Sequence, residues 1–473
     1  MPDHDKYPER PRGPRPRPPA VLTAIVLAVA LLAAACQSSP PSSSKGSAAP
    51  ATMPPGPSCI KPENGSGCLK LAPTDRRVDL VRPRFSNPTS ITNPLHPSSK
   101  VEQVIYGGQV DGKPFRTEFT LLPGSRTVTW DGQQIDTLAI QYLAYLDGRI
   151  EEVAIDLFAQ ADDGAVWYFG EDVYNYADGI VADTKGTWHA GREGPPAMIM
   201  PAKPRVGTTY RSENIPGLVF EEVTVKAVNQ TVPGPSGPIG GAALVTELHF
   251  DGKREDKVFA PGYGEFSTGD PSGDLEVVAL AVPTDAHSGP LPAQLTTLAT
   301  AIRTAHDAVG RNDWDAAVTA TAAVGKAWDA YRSGGVPEVL DKQTTRDVNA
   351  LAAAVAARKP APAHQAALRV AQDGLDLKLP YQPVVTTDLA RLDLWARQLG
   401  IDLAARDAGA VGGDVTTLGW IRDRVRHAVD PAAAMRLDGD LRRLQVAAEH
   451  QDLTAAARTA PGLLATVAAL QSG

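Results

Sequence analysis

Hydrophobic and polar residues alternate along much of the first half of the chain. Val153, Ile155 and Leu157 would face one way while Glu152 and Asp156 face the other, which is typical of a strand with one buried face. Such patterns predict strands over 101–110, 114–122, 126–130, 137–146, 149–160, 165–170, 221–229, 243–250, 255–260 and 275–282. Turn-forming pairs separate several of them: Asp131-Gly132, Asp147-Gly148, Asp163-Gly164, Asp178-Gly179 and Asp251-Gly252. Because no helical pattern intervenes, we expect an antiparallel β-sandwich or partly open barrel over 101–285.

The pattern changes after residue 290 to a helical period in Ala- and Leu-rich sequence. We predict helices over 291–310, 313–333, 337–358, 361–376, 384–407, 411–428, 431–449 and 452–470. Apolar residues recur there at three- and four-residue steps, as in Leu389, Leu392, Ala396, Leu399 and Leu403, or Val415, Leu418, Ile421 and Val425. Such stripes suit helices packed antiparallel, so 291–473 is expected to be a bundle of hairpins in an α+β protein.

A faint repeat accompanies the predicted helix-to-helix turns. Related segments begin at Val309, Val355, Leu403 and Val446, at steps of 46, 48 and 43 residues, which suits a helical hairpin unit. Similar composition among Ala-rich helices is the alternative explanation.

The N-terminus has the layout of a bacterial lipoprotein signal over residues 1–36. Basic residues precede an apolar run of about 16 residues, shorter than the roughly 20 of a permanent spanning helix. Small residues then lead to Cys36, which we expect to carry lipid such as palmitate and to anchor the mature chain to the membrane. An ordinary signal peptide or a membrane anchor is the alternative. The predicted location is the outer face of the bacterial cytoplasmic membrane.

Residues 37–57 are rich in Ser, Pro and Ala and are expected to form a disordered tether. An extended segment over 58–100 follows, in which Cys59 and Cys68 enclose a turn-rich loop. In an exported chain such a pair is most simply a disulfide, and the segment from Cys59 to Cys68 offers no histidine for a metal site.

Composition excludes some functions. The net charge of −8 becomes more negative if the basic N-terminal segment is removed, which argues against a nucleic-acid partner. The sequence contains no Walker A loop, no G-x-S-x-G and no H-E-x-x-H, so the commonest enzyme classes and cofactor sites are not indicated, and we expect no cofactor.

A string of motifs resembles a family of uncharacterised bacterial exported proteins. The string includes Val166-Trp-Tyr-Phe-Gly-Glu-Asp172, Gly186-Thr-Trp-His-Ala-Gly191, Met198-Ile-Met-Pro201 and Ala260-Pro-Gly-Tyr-Gly264, and the resemblance covers about residues 85–268. Here Tyr263 replaces a small aliphatic residue. The resemblance implies an extracytoplasmic β-rich domain and no particular activity. The helical half resembles helical domains of predicted exported proteins of high-GC bacteria.

The densest group of aromatic and acidic residues in the β half is the candidate ligand groove. It comprises Trp167, Tyr168, Glu171, Asp156, Trp188 and His189. Core packing is the more usual explanation for such aromatic residues, and the alternative is the wall of a groove, where flat rings suit a sugar, lipid or aromatic ligand. Glu171 and Asp156 form a pair for glycoside cleavage only if their strands align in the right register. A solvated strand end and a calcium site are the other interpretations of these acids.

In the helical half, acidic residues recur on two predicted helices, at Asp388, Asp393, Asp402, Asp414 and Asp423. Inward-facing carboxylates suit a metal, but no Glu-x-x-His pair accompanies them. Arg422, Arg424 and Arg426 flank Asp423, which favours surface ion pairing. We therefore predict no metal site.

These features favour a membrane-anchored, non-enzymatic binding or interaction module of the cell envelope. Its expected partners are the membrane, through lipid on Cys36, and a protein, glycan or small-molecule ligand. An envelope hydrolase that uses carboxylates near Glu171 and a metal- or small-molecule-binding helical bundle are the alternatives. The sequence assigns no catalytic residue.

Overall fold

A computed structural model describes residues 52–53 and 55–472. Cys36 and most of the predicted tether lie outside the described residues. Where the tether is described, Thr52 forms an antiparallel bridge with Val81 and the Met53 side chain is buried. The described residues belong to one compact unit in which the β and α halves share an interface.

The described β half contains fourteen strands. They are β1 (Gln103–Val110), β2 (Lys113–Trp130), β3 (Gln133–Leu146), β4 (Arg149–Gln160), β5 (Val166–Ala177), β6 (Ile180–Asp183), β7 (Trp188–His189), β8 (Ala197–Met200), β9 (Thr209–Ile215), β10 (Val219–Val232), β11 (Ile239–His249), β12 (Arg254–Ala260), β13 (Gly264–Gly269) and β14 (Leu275–Val282). Strand β2 joins two predicted strands across a register shift between Leu121 and Ser125. The sequence patterns missed β6–β9 and β13.

The helical half contains the eight expected helices. They are α1 (Ala293–Gly310), α2 (Trp314–Arg332), α3 (Glu338–Ala356), α4 (Pro360–Lys378), α5 (Val384–Ala405), α6 (Ala408–Val425), α7 (Pro431–Glu449) and α8 (Leu453–Ser472). The stripe residues Leu392, Leu399, Leu418 and Ile421 are fully buried in one apolar cluster. The predicted α+β fold is confirmed.

The fourteen described strands belong to one antiparallel sheet, ordered β6-β5-β4-β3-β2-β1-β14-β13-β12-β11-β10-β9, with β7 and β8 paired to β5. The sheet curls so that its two edges meet. Trp188 on β7 donates a hydrogen bond of 3.2 Å to Glu213 on β9, the strand at the opposite end of the sheet. Glu171 on β5 is also hydrogen-bonded to Glu213. The result is the partly open barrel, with an inner face and an outer face.

Asp-Gly pairs close the first hairpins of the sheet. Both residues have positive φ at Asp111-Gly112, Asp131-Gly132, Asp147-Gly148 and Asp178-Gly179. This is the geometry of type I′ turns, whose twist matches that of the flanking strands. The last of these turns also docks on α6, since a Cβ on Gly179 would lie 1.9 Å from the Gly409 carbonyl oxygen.

The predicted hairpin repeat is visible in the turns that join α1 to α2, α3 to α4, α5 to α6 and α7 to α8. Each turn contains one left-handed residue, namely Asn312, Arg358, Arg406 and Gln451. In each, the amide of the following residue donates to a carbonyl five residues earlier (Asp313 to Ala308, Lys359 to Ala354, Asp407 to Asp402 and Asp452 to Ala447). This is the Schellman arrangement, repeated four times.

The helices pack on the outer face of the sheet through a buried charged network. Glu118 on β2 meets Arg391 on α5 and Arg424 on α6, and Arg391 also pairs with Asp376 on α4 at 2.8 Å. Burial alone would raise the pKa of Glu118, but Arg391, Arg116 and Arg424 outweigh it and hold that pKa well below its ordinary value. Removing one member of ion pairs this deep would leave a bare buried charge, which strongly destabilises a fold.

The expected surface ion pairing around Asp423 is correct for Arg422 and wrong for Arg424. Arg422 lies 3.2 Å from Asp423 at a partly exposed position. Arg424 is buried and points to the sheet, because α6 presents that side to Glu118 and Gln141.

Two further features of the chain are its cysteine pair and its last helix. Cys59 and Cys68 form the expected disulfide, with their Cα atoms 5.1 Å apart. Among the described helices, one is long and apolar enough to cross a membrane by length and composition, over Leu453–Gln471 in α8. Ala456, Leu463 and Val467 of α8 are fully buried in the bundle core, so we interpret α8 as a bundle helix.

Candidate functional site

The inner face of the curled sheet encloses a cavity of about 210 Å³. Its wall is formed by residues of β1–β5, β8, β12 and β13 and by the 96–98 turn. The walls are mainly apolar and aromatic; they include Val104, Tyr106, Phe119, Leu121, Ile140, Phe158, Tyr168, Phe259 and Tyr263. Two carboxyl groups, those of Asp156 and Glu265, also line the cavity. A mostly apolar cavity with a few polar groups is the usual form of a small-molecule site.

Asp156 is the central polar group of this cavity. Its carboxylate accepts a hydrogen bond of 2.7 Å from the Tyr168 hydroxyl, and its side chain is buried. Burial raises the pKa of Asp156 to about 7, while the Tyr168 hydrogen bond acts in the opposite direction. The group therefore changes charge near neutral pH.

The aromatic rings around Asp156 are held in place by contacts with one another. Phe158 and Tyr168 stack with centroids 4.9 Å apart, and Trp188 meets the edge of Tyr168 at 5.4 Å. His96 packs edge-on against Phe158 at 4.6 Å, and burial lowers the pKa of His96 to about 4. The histidine is thus neutral at neutral pH, and it adds no positive charge to the cavity.

Glu171 lies directly opposite Asp156 in the pairing of β5 with β4. The register condition for a carboxylate pair is therefore met. Burial raises the pKa of Glu171 well above its ordinary value, with the charge of Glu213 adding to the effect. Burial also raises the pKa of Glu213 to about 8. The two groups share a hydrogen bond in which protonated Glu171 is the donor.

Beyond Glu213, charged groups continue across β10–β12. Glu221 lies 3.1 Å from Nδ1 of His249, whose Nε2 lies 3.2 Å from Glu255. Lys257 pairs with Glu247 at 2.6 Å. Burial opposes the charge on His249, but the hydrogen bonds to Glu221 and Glu255 raise its pKa to about 10. Protonated His249 and Lys257 thus balance these carboxylates.

Glu221, Glu247 and His249 have the atom types of a metal site, with ligand atoms within 4.8 Å of one another. Because Lys257 and protonated His249 already supply cations to these carboxylates, we assign no metal here. Two buried acids of the bundle are likewise paired with arginines, Asp388 with Arg391 at 2.7 Å and Asp402 with Arg149 at 2.6 Å.

The structure brings together four of the six predicted groove residues. Asp156, Tyr168, Glu171 and Trp188 meet on the inner side of the sheet. Trp167 is buried in the core beside Tyr168. His189 lies 3.2 Å from Asp172, outside this group. For these two residues the groove interpretation is not supported, because the alternation of β5 sends Trp167 and Asp172 away from the cavity.

Several residues of the site escaped the sequence analysis. Glu213 belongs to a strand that was not predicted, and Phe259, Tyr263 and Glu265 come from the hairpin between β12 and β13. The sequence feature that could have revealed them is the recurrence of acidic residues at alternate strand positions, such as Glu221 on β10 or Glu247 on β11. Such alternation normally indicates a solvated strand face. Only when the sheet closes does that face line the interior of the barrel.

Comparisons of the chain with protein-family models, with characterised proteins and with solved structures find no match. Function must therefore be argued from the site.

Proposed function

We propose that this protein is a lipid-anchored binding protein of the bacterial envelope that holds a small organic cation with an apolar body in the inner cavity. The observation that carries the proposal is the position of Asp156, a buried carboxyl group surrounded by aromatic rings in a cavity of about 210 Å³. Asp156 supplies the anionic contact, because Glu265 is already paired with Lys257 at 3.5 Å, and the walls supply a large apolar surface.

The charge of the cavity favours a cation over an anion. Asp156 and Glu265 line it, whereas His96 is held neutral by burial. Aromatic faces attract ammonium groups, and this attraction strengthens when water is excluded. Tyr106, Phe119, Phe158 and Phe259 provide such faces together with apolar area for the rest of the ligand.

The envelope location rests on the sequence. The basic segment, the apolar run and the small residues before Cys36 support lipidation, and the resemblance over about residues 85–268 to exported proteins agrees with it. The Cys59–Cys68 disulfide also suits an oxidising compartment.

Calorimetric titration with phenethylamine, its trimethylammonium analogue and the neutral phenethyl alcohol tests the ligand class. We expect both cations to bind more tightly than the alcohol, and Asp156→Asn to remove the difference. Asp172→Asn is the matched control, because Asp172 lies on the same sheet and faces away from the cavity. Equal affinity for alcohol and amine, or binding unaffected by Asp156→Asn, would contradict the proposal.

An envelope hydrolase is the second candidate. The direct opposition of Asp156 and Glu171 on paired strands favours it, since glycosidases use two facing carboxyl groups. Its test is turnover of chromogenic glycosides by the wild-type protein and by Glu171→Gln. Loss of activity in that variant with retained amine binding would favour the hydrolase.

A further inference from the structure

A second cavity, of about 130 Å³, lies between the outer face of the sheet and helices α3, α4 and α5. Its apolar part contains Tyr145 of β3 and Trp395 of α5, stacked with ring centroids 5.4 Å apart and planes 16° apart. Arg116 covers the Tyr145 ring at 5.8 Å. Trp395 remains half-buried and contributes an aromatic surface to the cavity.

The polar part of this cleft is rich in side-chain amides. Gln343, Gln365, Gln372 and Gln398 all line it. The amide nitrogen of Gln343 donates to Asp373 at 2.6 Å, and that of Gln398 donates to Gln365 at 3.1 Å. An amide carries both donors and acceptors, so such a lining suits a ligand whose own groups also donate and accept.

Two buried polar atoms in the cleft have no hydrogen-bond partner among the described residues. They are Oδ2 of Asp373 and the hydroxyl of Tyr145, whose side chains are 1% and 3% exposed. Buried polar groups are nearly always satisfied, and an unsatisfied one requires an explanation. Because both residues line the cavity, a ligand there explains both.

The cationic groups around the cleft are engaged with carboxylates. Arg346 makes two bonds to Asp347, at 2.8 and 2.9 Å, and Arg116 makes two to Asp376, at 3.0 and 2.8 Å. An anionic ligand would have to compete with these pairs. The contacts left to a ligand are instead neutral hydrogen-bond donors and acceptors beside the Trp395 ring.

We propose that the cleft between the sheet and helices α3–α5 binds a neutral sugar ring. Its C–H face packs on Trp395, and its hydroxyl groups bond the glutamine amides, Asp373 and Tyr145. Rings of this kind combine an apolar face with hydroxyls that both donate and accept, which matches the lining. The site is separate from the inner cavity and does not depend on the amine-binding proposal.

Saturation-transfer NMR with the full folded protein tests this site, using glucose, galactose, N-acetylglucosamine and their β-linked disaccharides. We expect transfer to the ring protons of at least one sugar and at least a tenfold loss of affinity in Trp395→Leu. Trp420→Leu is the matched control, since Trp420 packs on Tyr174 at the same interface and does not line the cleft. Asp156→Asn should leave sugar binding unchanged.

Asp373→Asn is a second variant, and it preserves the shape of the side chain. It should weaken sugar binding. Its thermal unfolding midpoint checks that the variant is folded. Absence of transfer to every sugar in the set would overturn the proposal. So would equal sugar affinity in Trp395→Leu and the wild-type protein.

Discussion

The guanidinium of Arg391 on α5 lies 3.5 Å from the carboxylate of Glu118 on β2, and both side chains are inaccessible to solvent. The residues are 273 positions apart in the chain. They join the helical half to the outer face of the sheet.

This relationship predicts a large effect of removing the arginine. Arg391→Met leaves Glu118, Asp376 and Asp388 without their shared cation, and we expect it to lower the free energy of unfolding by about 3–5 kcal/mol. Urea unfolding measures the loss. Arg422→Met at the partly exposed pair with Asp438 should change the free energy by only about 0–1 kcal/mol. Similar losses in both variants would refute a special role for the buried network.

Amine binding in the inner cavity should depend on pH. A cation binds the ionised form of Asp156, whose pKa burial raises to about 7, so a proton competes with the ligand below that pH. We expect phenethylamine affinity to be nearly constant above pH 8 and to fall about tenfold per pH unit below about pH 6. Binding of phenethyl alcohol should lack this dependence.

The groups that face Asp156 are Tyr168, Glu171 and, further away, Glu152 and Glu265. Tyr168→Phe removes the hydrogen bond that stabilises the charged carboxylate, so it should shift the pH profile upward. A profile that is unchanged in Tyr168→Phe would argue that another group titrates.

The inner carboxyl groups should make the fold more stable in mild acid. Burial raises the pKa of Glu152 and Glu276 to about 7 and that of Glu213 to about 8. Their stabilising effect is complete below about pH 4.5, the unfolded value, and is lost as pH rises through 7 to 8. Each group adds a slope of about 1.4 kcal/mol per pH unit between these limits.

Thermal unfolding from pH 5 to pH 8 measures this trend. We expect the midpoint to fall with rising pH and Glu276→Gln to flatten the dependence. The exposed Asp256→Asn serves as control and should leave the slope unchanged. A midpoint that rises over this range would contradict the assignment.

The four helix-to-helix turns offer a stabilising substitution. Arg358 is exposed and has φ 51°, a left-handed conformation in which a side chain is strained and glycine is not. Arg358→Gly should raise the free energy of unfolding by about 1 kcal/mol. Ala357→Gly, one residue earlier with φ −78°, should lower it instead. Chemical denaturation of both variants measures whether the free energy of unfolding rises in the first and falls in the second.

Lipidation predicts a simple change in location. Growth with labelled palmitate should label the wild-type chain, and Cys36→Ser should abolish the label and release the protein from membranes. Cys59→Ser with Cys68→Ser provides the control, because these cysteines form the disulfide and should not affect labelling. Retained labelling in Cys36→Ser would refute the anchor.

Local patterns were sufficient for much of the fold. The positions of the eight helices, the Asp-Gly hairpin turns and the four similar helix-to-helix turns all follow from residues close in sequence. Strands β6–β8, which all pair with β5, were missed because they are only two to four residues long and too short to show alternation.

The candidate sites, like the fold, were predictable from the sequence only in part. The sequence by itself determined that Asp156, Tyr168, Glu171 and Trp188 are a dense polar and aromatic group, because they lie on a few successive strands. Only the tertiary structure decided that Asp156 faces Glu171, that the sheet closes through Glu213, and that Arg424 and Trp395 face the sheet. Register and burial depend on contacts between distant segments, and alternation alone does not reveal which face of a strand becomes enclosed.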